Sequence, residues 1–218
     1  MTLYFVTTNP GKVREAREYL SGAVEQLDYD TPEIQDSDLG AIAAHKARAA
    51  YRHVGEPVFV DDAGLFVDAF DGFPGPYSSY VHETVGVERV WRLASEEDDR
   101  GASFRGVVAY CDGEEFAATP DPVDRDERRG QDLAADERSA ATTDDQVRTD
   151  TSEDLPVKLF YGVVPGEIVA PRGSGGFGYD PIFEHGDRTF AEMSSEEKNA
   201  VSHRGRALAK FAEWHAER

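Results

Sequence analysis

Residues 57–70 read PVFVDDAGLFVDAF. Val58, Phe59 and Val60 make a short β-branched and aromatic run, the signature of a buried strand, and Leu65 to Phe70 make a second. Between them, Asp61, Asp62, Ala63 and Gly64 read as an acidic turn joining two strands. The end of a buried strand is where α/β sheets gather ligand-binding groups. Neighbouring carboxylates point to opposite faces wherever the backbone stays extended, so one of Asp61 and Asp62 is expected to face a site.

Upstream, residues 2–7 (TLYFVT) predict a strand, TNPG a turn, and the residues from about Lys12 a helix with Val13, Ala16 and Leu20 on one face. Residues 24–30 (VEQLDYD) predict a weaker strand. Asp38 then caps a helix whose stripe is Leu39, Ile42, Ala43, Ala50 and Tyr51. Downstream, residues 70–80 (FDGFPGPYSSY) form a Gly/Pro turn region, and residues 84–94 (TVGVERVWRLA) have helical spacing. SFRGVVAYCDG (103–113) and LFYGVVPGEIV (159–169) read as antiparallel strands. Residues 117–157, between them, hold no aromatic residue and twelve acids against five arginines. Such a segment buries too little apolar surface to offset its ordering entropy. It is expected to be a disordered acidic insertion in a hairpin, within a single domain spanning 1–218. Near the C-terminus, Ser194 to Glu197 make a capping box, and Ser202 caps a last helix with Ala207, Leu208 and Phe211 facing the core. His203 and Arg204 then stand at a helix start, where anions are favoured.

Composition narrows the function. The 218 residues carry a net charge of −20. Nucleic acid and anionic membranes are poor partners for such a surface. The acids are spread along the chain, as in a solvated shell suited to a high-salt cytoplasm or in an ordinary acidic protein. Five lysines, at 12, 46, 158, 198 and 210, stand against eighteen arginines, so the few that remain are expected to have specific work, compositional drift being the alternative. Cys111 is the single cysteine, so no intrachain disulfide and no cysteine metal cluster can form. The N-terminus has no basic leader and no apolar run reaches the ~18 residues of a membrane span, so a cytoplasmic protein is expected.

In TTNPGK, the strand–turn–helix joint offers free N–H groups to an anion. Thr7 or Thr8 adds a hydroxyl, Asn9 an amide and Lys12 a charge, although the spacing is not that of a Walker A loop. Glu33, in TPEIQD, and Asp62 would suffice for Mg²⁺, which takes one or two carboxylates plus waters and phosphates. In GSGGFGYDPIF (173–183), the glycines admit a flat ligand, and Phe177 or Tyr179 offers a platform for a base. Asp180 can accept from a ring N–H. Arg204 can donate two hydrogen bonds to an O6/N7 edge, with His203 doing similar work or shaping the loop.

Together, FVTTNPGKVREA, PEIQ, VDDAGLFVDAFDGFPGPYSSYV, GGFGYDPIF, FAEM and EEKNAVSHRGRA resemble the inosine triphosphate pyrophosphatase family, in its order and over nearly all the chain outside 117–157. The resemblance implies an α/β fold, a long, strongly curved mixed sheet flanked by helices, in a homodimer. It implies hydrolysis of non-standard purine nucleoside triphosphates (ITP, dITP, XTP) to the monophosphate and pyrophosphate. Thr7, Thr8, Asn9, Pro10, Gly11 and Lys12 would cradle the triphosphate. Glu33 and Asp62 would hold Mg²⁺, with Asp62 also the general base. Lys46, Phe177, Gly178, Tyr179, Asp180, Lys198, His203 and Arg204 would hold the nucleotide. Ala63 stands where a serine is common, which leaves a backbone N–H for the phosphates. An aspartate of ordinary pKa is a weak base at neutral pH, so the metal is expected to supply more of the activation. A related pyrophosphatase with another nucleotide preference and a nucleotide sensor without turnover are the alternatives.

Overall fold

The computed structural model describes residues 2–116, 146–148 and 155–218. Its nine strands form one mixed sheet in the order β2-β1-β3-β5-β7-β8-β9, with β4 paired to β3 and β6 to β7. The N-terminal part is parallel: β1 (Leu3–Val6) lies between β2 (Val24–Leu27) and β3 (Val58–Val67). The rest is antiparallel, dominated by three long strands: β3, β5 (Gly101–Cys111) and β7 (Val157–Ile168). Short strands β4 (Pro74–Gly75), β6 (Gln146–Arg148), β8 (Phe183–His185) and β9 (Arg188–Thr189) extend it.

The expected acidic turn at 61–64 is not there. Val58 to Val67 is one unbroken strand, paired residue for residue with Cys111 to Ala102. The backbone can stay extended because each aspartate meets a cation on its own face of the sheet, described below. The two-residue alternation is carried by three strands at once. Phe59, Val108, Tyr110 and Phe160 pack on one face under α1 (Pro10–Tyr19) and the last helix, α6 (His203–Ala216). Val58, Val60, Val107, Ala109, Cys111 and Leu159 pack on the other under α2 (Leu39–Val54). Cys111 is buried there, and burial pushes its thiol up to about 11. A third cluster joins Leu65, Phe104, Val164, Phe183 and Phe190 to α3 (Ser78–Thr84) and α4 (Val87–Ala94) through Val81 and Val90.

Helix starts follow their sequence signals. Asn9 caps α1 with Pro10 in its first turn, Asp38 caps α2, and Ser194 and Glu197 form the capping box of α5 (Ser195–Val201). Ser202 caps α6 by accepting from the Gly205 N–H. The expected insertion needs a correction at its C-terminal end. Residues 146–148 pair with β7, and the Arg148 guanidinium bonds Asp38 at 2.5 Å. Arg48 donates to the carbonyls of Arg148 and Leu155, which ties this return to α2. A three-residue strand needs ladder partners rather than a core, so a compositional argument misses it. The expectation for 117–145 and 149–154 lies outside the described residues.

Candidate functional site

Asp61 and Asp62 sit at mid-strand in β3, beneath a cleft of about 740 Å³, a usual size for a small-molecule site. Asp61 shares its face with Phe59, so it points toward α1 and α6. Its Oδ2 accepts from Arg204 Nε at 2.7 Å and lies 3.2 Å from the Lys12 ammonium. Arg204 Nη1 also donates to Glu15 Oε2 at 3.2 Å. The Asp61 side chain has no exposed surface. Burial alone would raise its pKa, but Arg204 and Lys12 outweigh that and hold the carboxyl well below the ordinary range.

Asp62 shares its face with Val60 and points toward α2. Lys46, two turns into α2, donates to its Oδ1 at 2.8 Å and meets Glu33 Oε1 at 2.6 Å. Here the balance reverses. Burial raises the Asp62 pKa, and Lys46 only partly opposes it. Burial also works against the charge on Lys46, but Asp62 and Glu33 outweigh it and raise the ammonium pKa. The expectation of an ordinary aspartate pKa is therefore corrected: Asp62 is a stronger base than a solvated aspartate. As expected from the strand alternation, one carboxylate of the pair is open to the cleft: the Asp62 side chain is 18% exposed.

These residues also fit a divalent cation. Glu33 and Asp62 converge on one ammonium, and Asp62 Oδ2 is buried with no hydrogen-bond partner. Among the described residues no cluster of three or more His, Cys, Asp or Glu side chains forms a metal cage. Two carboxylates completed by water and phosphate oxygens need none.

In the N-terminal loop, Thr7, Thr8 and Lys12 line the cleft. Asn9, Pro10 and Gly11 build the helix start instead of the wall. The Asn9 side chain accepts from the Gly11 N–H at 2.8 Å, and the Thr7 hydroxyl accepts from the Asn9 N–H at 3.1 Å. On the opposite wall, Phe177 and Tyr179 separate cleanly. Phe177 is 61% exposed, whereas Tyr179 is 4% exposed and its hydroxyl donates to the Ser78 carbonyl at 2.9 Å. Phe177 therefore offers an exposed ring, whereas Tyr179 is held in the interior by its hydroxyl. Gly178 leaves the chain at φ 61°, and Asp180 Oδ2 accepts from the Phe177 N–H and from Lys198.

Arg204, expected to read the base, lines the cleft. Its Nε donates to Asp61 and its Nη1 to Glu15, and neither of these bonds uses Nη2. Two elements, β3 and α1, deliver these acids. His203 is seated by a row of small residues, Ala63, Gly106 and Gly162, in register across β3, β5 and β7. A Cβ at Gly162 would lie 1.9 Å from the His203 carbonyl oxygen, and one at Gly106 would lie 2.7 Å from its ring. The ring stacks on Phe104 with centroids 5.1 Å apart. Burial, with Arg204 adding to it, pushes its pKa down to about 3, so the imidazole is neutral at pH 7. Its Nδ1 is buried without a partner. Sequence reasoning missed Glu15 and the two strand glycines. Glu15, three residues after Lys12 on α1, was the one legible hint.

The sequence and the fold both have known counterparts. A model of the Ham1 family matches residues 3–123 and 125–214. The chain belongs to the Ham1 family. A dITP/XTP pyrophosphatase of Thermococcus kodakarensis is 43% identical over 220 residues, covering 98% of this chain and 97% of the relative. One from Methanopyrus kandleri is 40% identical, covering 99% and 96%. Among solved structures, a HAM1 protein from Coxiella burnetii superposes with a TM-score of 0.73 at 28% identity over the full length of both chains. A nucleoside-triphosphatase / dITP/XTP pyrophosphatase from Mycobacterium abscessus gives 0.63 at 30% identity, covering 97% of this chain and 98% of that one. The family expectation and the mixed sheet flanked by helices are both met. No helix among the described residues is long and apolar enough to cross a membrane.

Proposed function

We propose that this Ham1-family chain is an enzyme that hydrolyses non-standard purine nucleoside triphosphates, of the ITP, dITP and XTP kind, to the monophosphate and pyrophosphate. The observation that carries the reading is the division of labour along one cleft. Thr7, Thr8 and Lys12, a carboxylate of raised basicity and an exposed aromatic ring on a glycine loop all line it. The names of the relatives supply the substrate class.

In this reading the α1 N-terminus and Lys12 hold the triphosphate, with Lys12 kept in place by Asp61. Asp62 takes the proton of a water that attacks the α-phosphorus, and burial makes it better suited to that work. Glu33 and Asp62 would hold Mg²⁺, which, when bound, neutralises charge on the departing pyrophosphate and acidifies water. The base stacks on Phe177. The first turn of α6 and His203 then face its edge, and helix N-terminal N–H groups favour a 6-oxo acceptor over the 6-amino donor of adenine.

The test is direct. The protein is incubated with Mg²⁺ and ITP, XTP, dITP, GTP, ATP or UTP in ¹⁸O-water, and the products are resolved. Monophosphate carrying the ¹⁸O, released with pyrophosphate from ITP and XTP and little from the others, is the expected result. Label in the pyrophosphate moves the attack to another phosphorus, and release of single phosphate overturns the reaction.

A further inference from the structure

The loop that carries Phe177 is wound around one buried carboxylate. Asp180 is 2% exposed, and its Oδ2 accepts both the Phe177 N–H at 2.7 Å and the Lys198 ammonium at 2.5 Å. The Asp180 N–H donates back to the Phe177 carbonyl at 3.3 Å, so the turn is closed in both directions. Gly176, at φ 71°, passes so near that a Cβ there would lie 2.1 Å from the same Oδ2. The Lys198 ammonium also stands 4.2 Å from the centre of the Phe177 ring and 5.6 Å from that of Phe190, which is fully buried. A ring has two faces. The ammonium covers one, and the 61% exposure of Phe177 leaves the other to the cleft.

We propose that Asp180 and Lys198 form an ionic post behind Phe177 that fixes the angle and stiffness of the stacking platform, so that Asp180 is a positioning residue and not a reader of the base. An exposed ring on a loop of Gly175, Gly176 and Gly178 would otherwise lose conformational freedom at the moment a base stacks on it, weakening binding. The post orders it in advance. Oδ2, which already accepts from the Phe177 N–H and from Lys198, is thereby given to the platform and not to a base. The consequence is that the post strengthens stacking of any flat base by a similar factor. Discrimination among bases falls to the α6 end of the cleft.

The inference rests on the nucleotide reading above, so its test has an arm that needs no turnover. Amide hydrogen exchange of residues 174–180 is measured without nucleotide in wild type, Asp180→Asn and Lys198→Met. The post predicts exchange at least roughly tenfold faster in both variants, the loss expected for a charge-assisted hydrogen bond. Unchanged exchange overturns it. In the kinetic arm, the variants act on ITP and on its N1-methyl derivative, whose ring N–H is blocked. Both are expected to raise KM roughly tenfold for each substrate, with kcat moving far less and the ratio between substrates constant. Within a Phe177→Ala background, Asp180→Asn adds no further loss. If Asp180→Asn instead erases the distinction between ITP and its N1-methyl derivative, Asp180 reads the base directly and the proposal fails. A wild type that does not hydrolyse ITP overturns the functional reading alone, because the exchange arm still decides the post.

Discussion

Two adjacent residues, Asp61 and Asp62, have the same chemistry and opposite situations. Asp61 is sealed between Lys12 and Arg204, with its pKa held down. Asp62 meets one ammonium and has its pKa raised, and each of the two keeps one buried oxygen without a hydrogen-bond partner. The strand places them on opposite faces, and what differs is the number of cations that each face supplies. The α1–α6 face brings two cations, Lys12 and Arg204, to Asp61, and Arg204 also meets Glu15. The α2 face brings one lysine to two carboxylates, Glu33 and Asp62. A carboxylate held by two cations is stabilised in its charged form, whereas one that shares a single ammonium is left more basic by its burial.

If that contrast is right, the two aspartates fail differently when altered. Asp62→Asn is expected to lower kcat for ITP by about 10²–10⁴-fold, the usual loss of a general base, with little change in the denaturation midpoint. Asp61→Ala is expected to cost about 3–5 kcal/mol of stability in urea unfolding, because it strands a buried guanidinium. A large stability loss at Asp62, or a neutral result at Asp61, would break the comparison.

Smaller changes sharpen it. Gly162→Ala drives a methyl into the His203 carbonyl, and α6 must shift; a loss of about 1–3 kcal/mol is expected by calorimetry, with weakened ITP binding. The smallest effect is on pH dependence. His203 has a folded pKa depressed to about 3 from an ordinary 6.5, so its contribution to stability is complete above pH 6.5 and drains away as pH falls toward 3. Between pH 6 and 4 the wild type should lose on the order of 1 kcal/mol per unit more than His203→Asn does. Parallel slopes would show that the ring is not held neutral.

Much of the fold was legible in short-range signals. Asn9, Asp38, Ser194 and Ser202 each cap the helix they announce, and the alternation in SFRGVVAYCDG and LFYGVVPGEIV became β5 and β7. The reading of 61–64 as a turn failed because consecutive acids weaken a strand only when nothing answers them. The answering cations lie far off in sequence, at 12, 46 and 204. Lys158 likewise shows how far scarcity of lysine carries as a signal: it is a buried member of β7, outside the cleft.

The sequence by itself determined which groups could bind phosphate, metal and base, because residue type and helix-start chemistry are local properties. Only the tertiary structure decided their surroundings: Phe177 exposed and Tyr179 buried, Arg204 bonded to Asp61 and Glu15, and the pKa of Asp62 raised where that of Asp61 is lowered. Exposure and pKa depend on what three separate elements bring to one point. No stretch of chain encodes that alone.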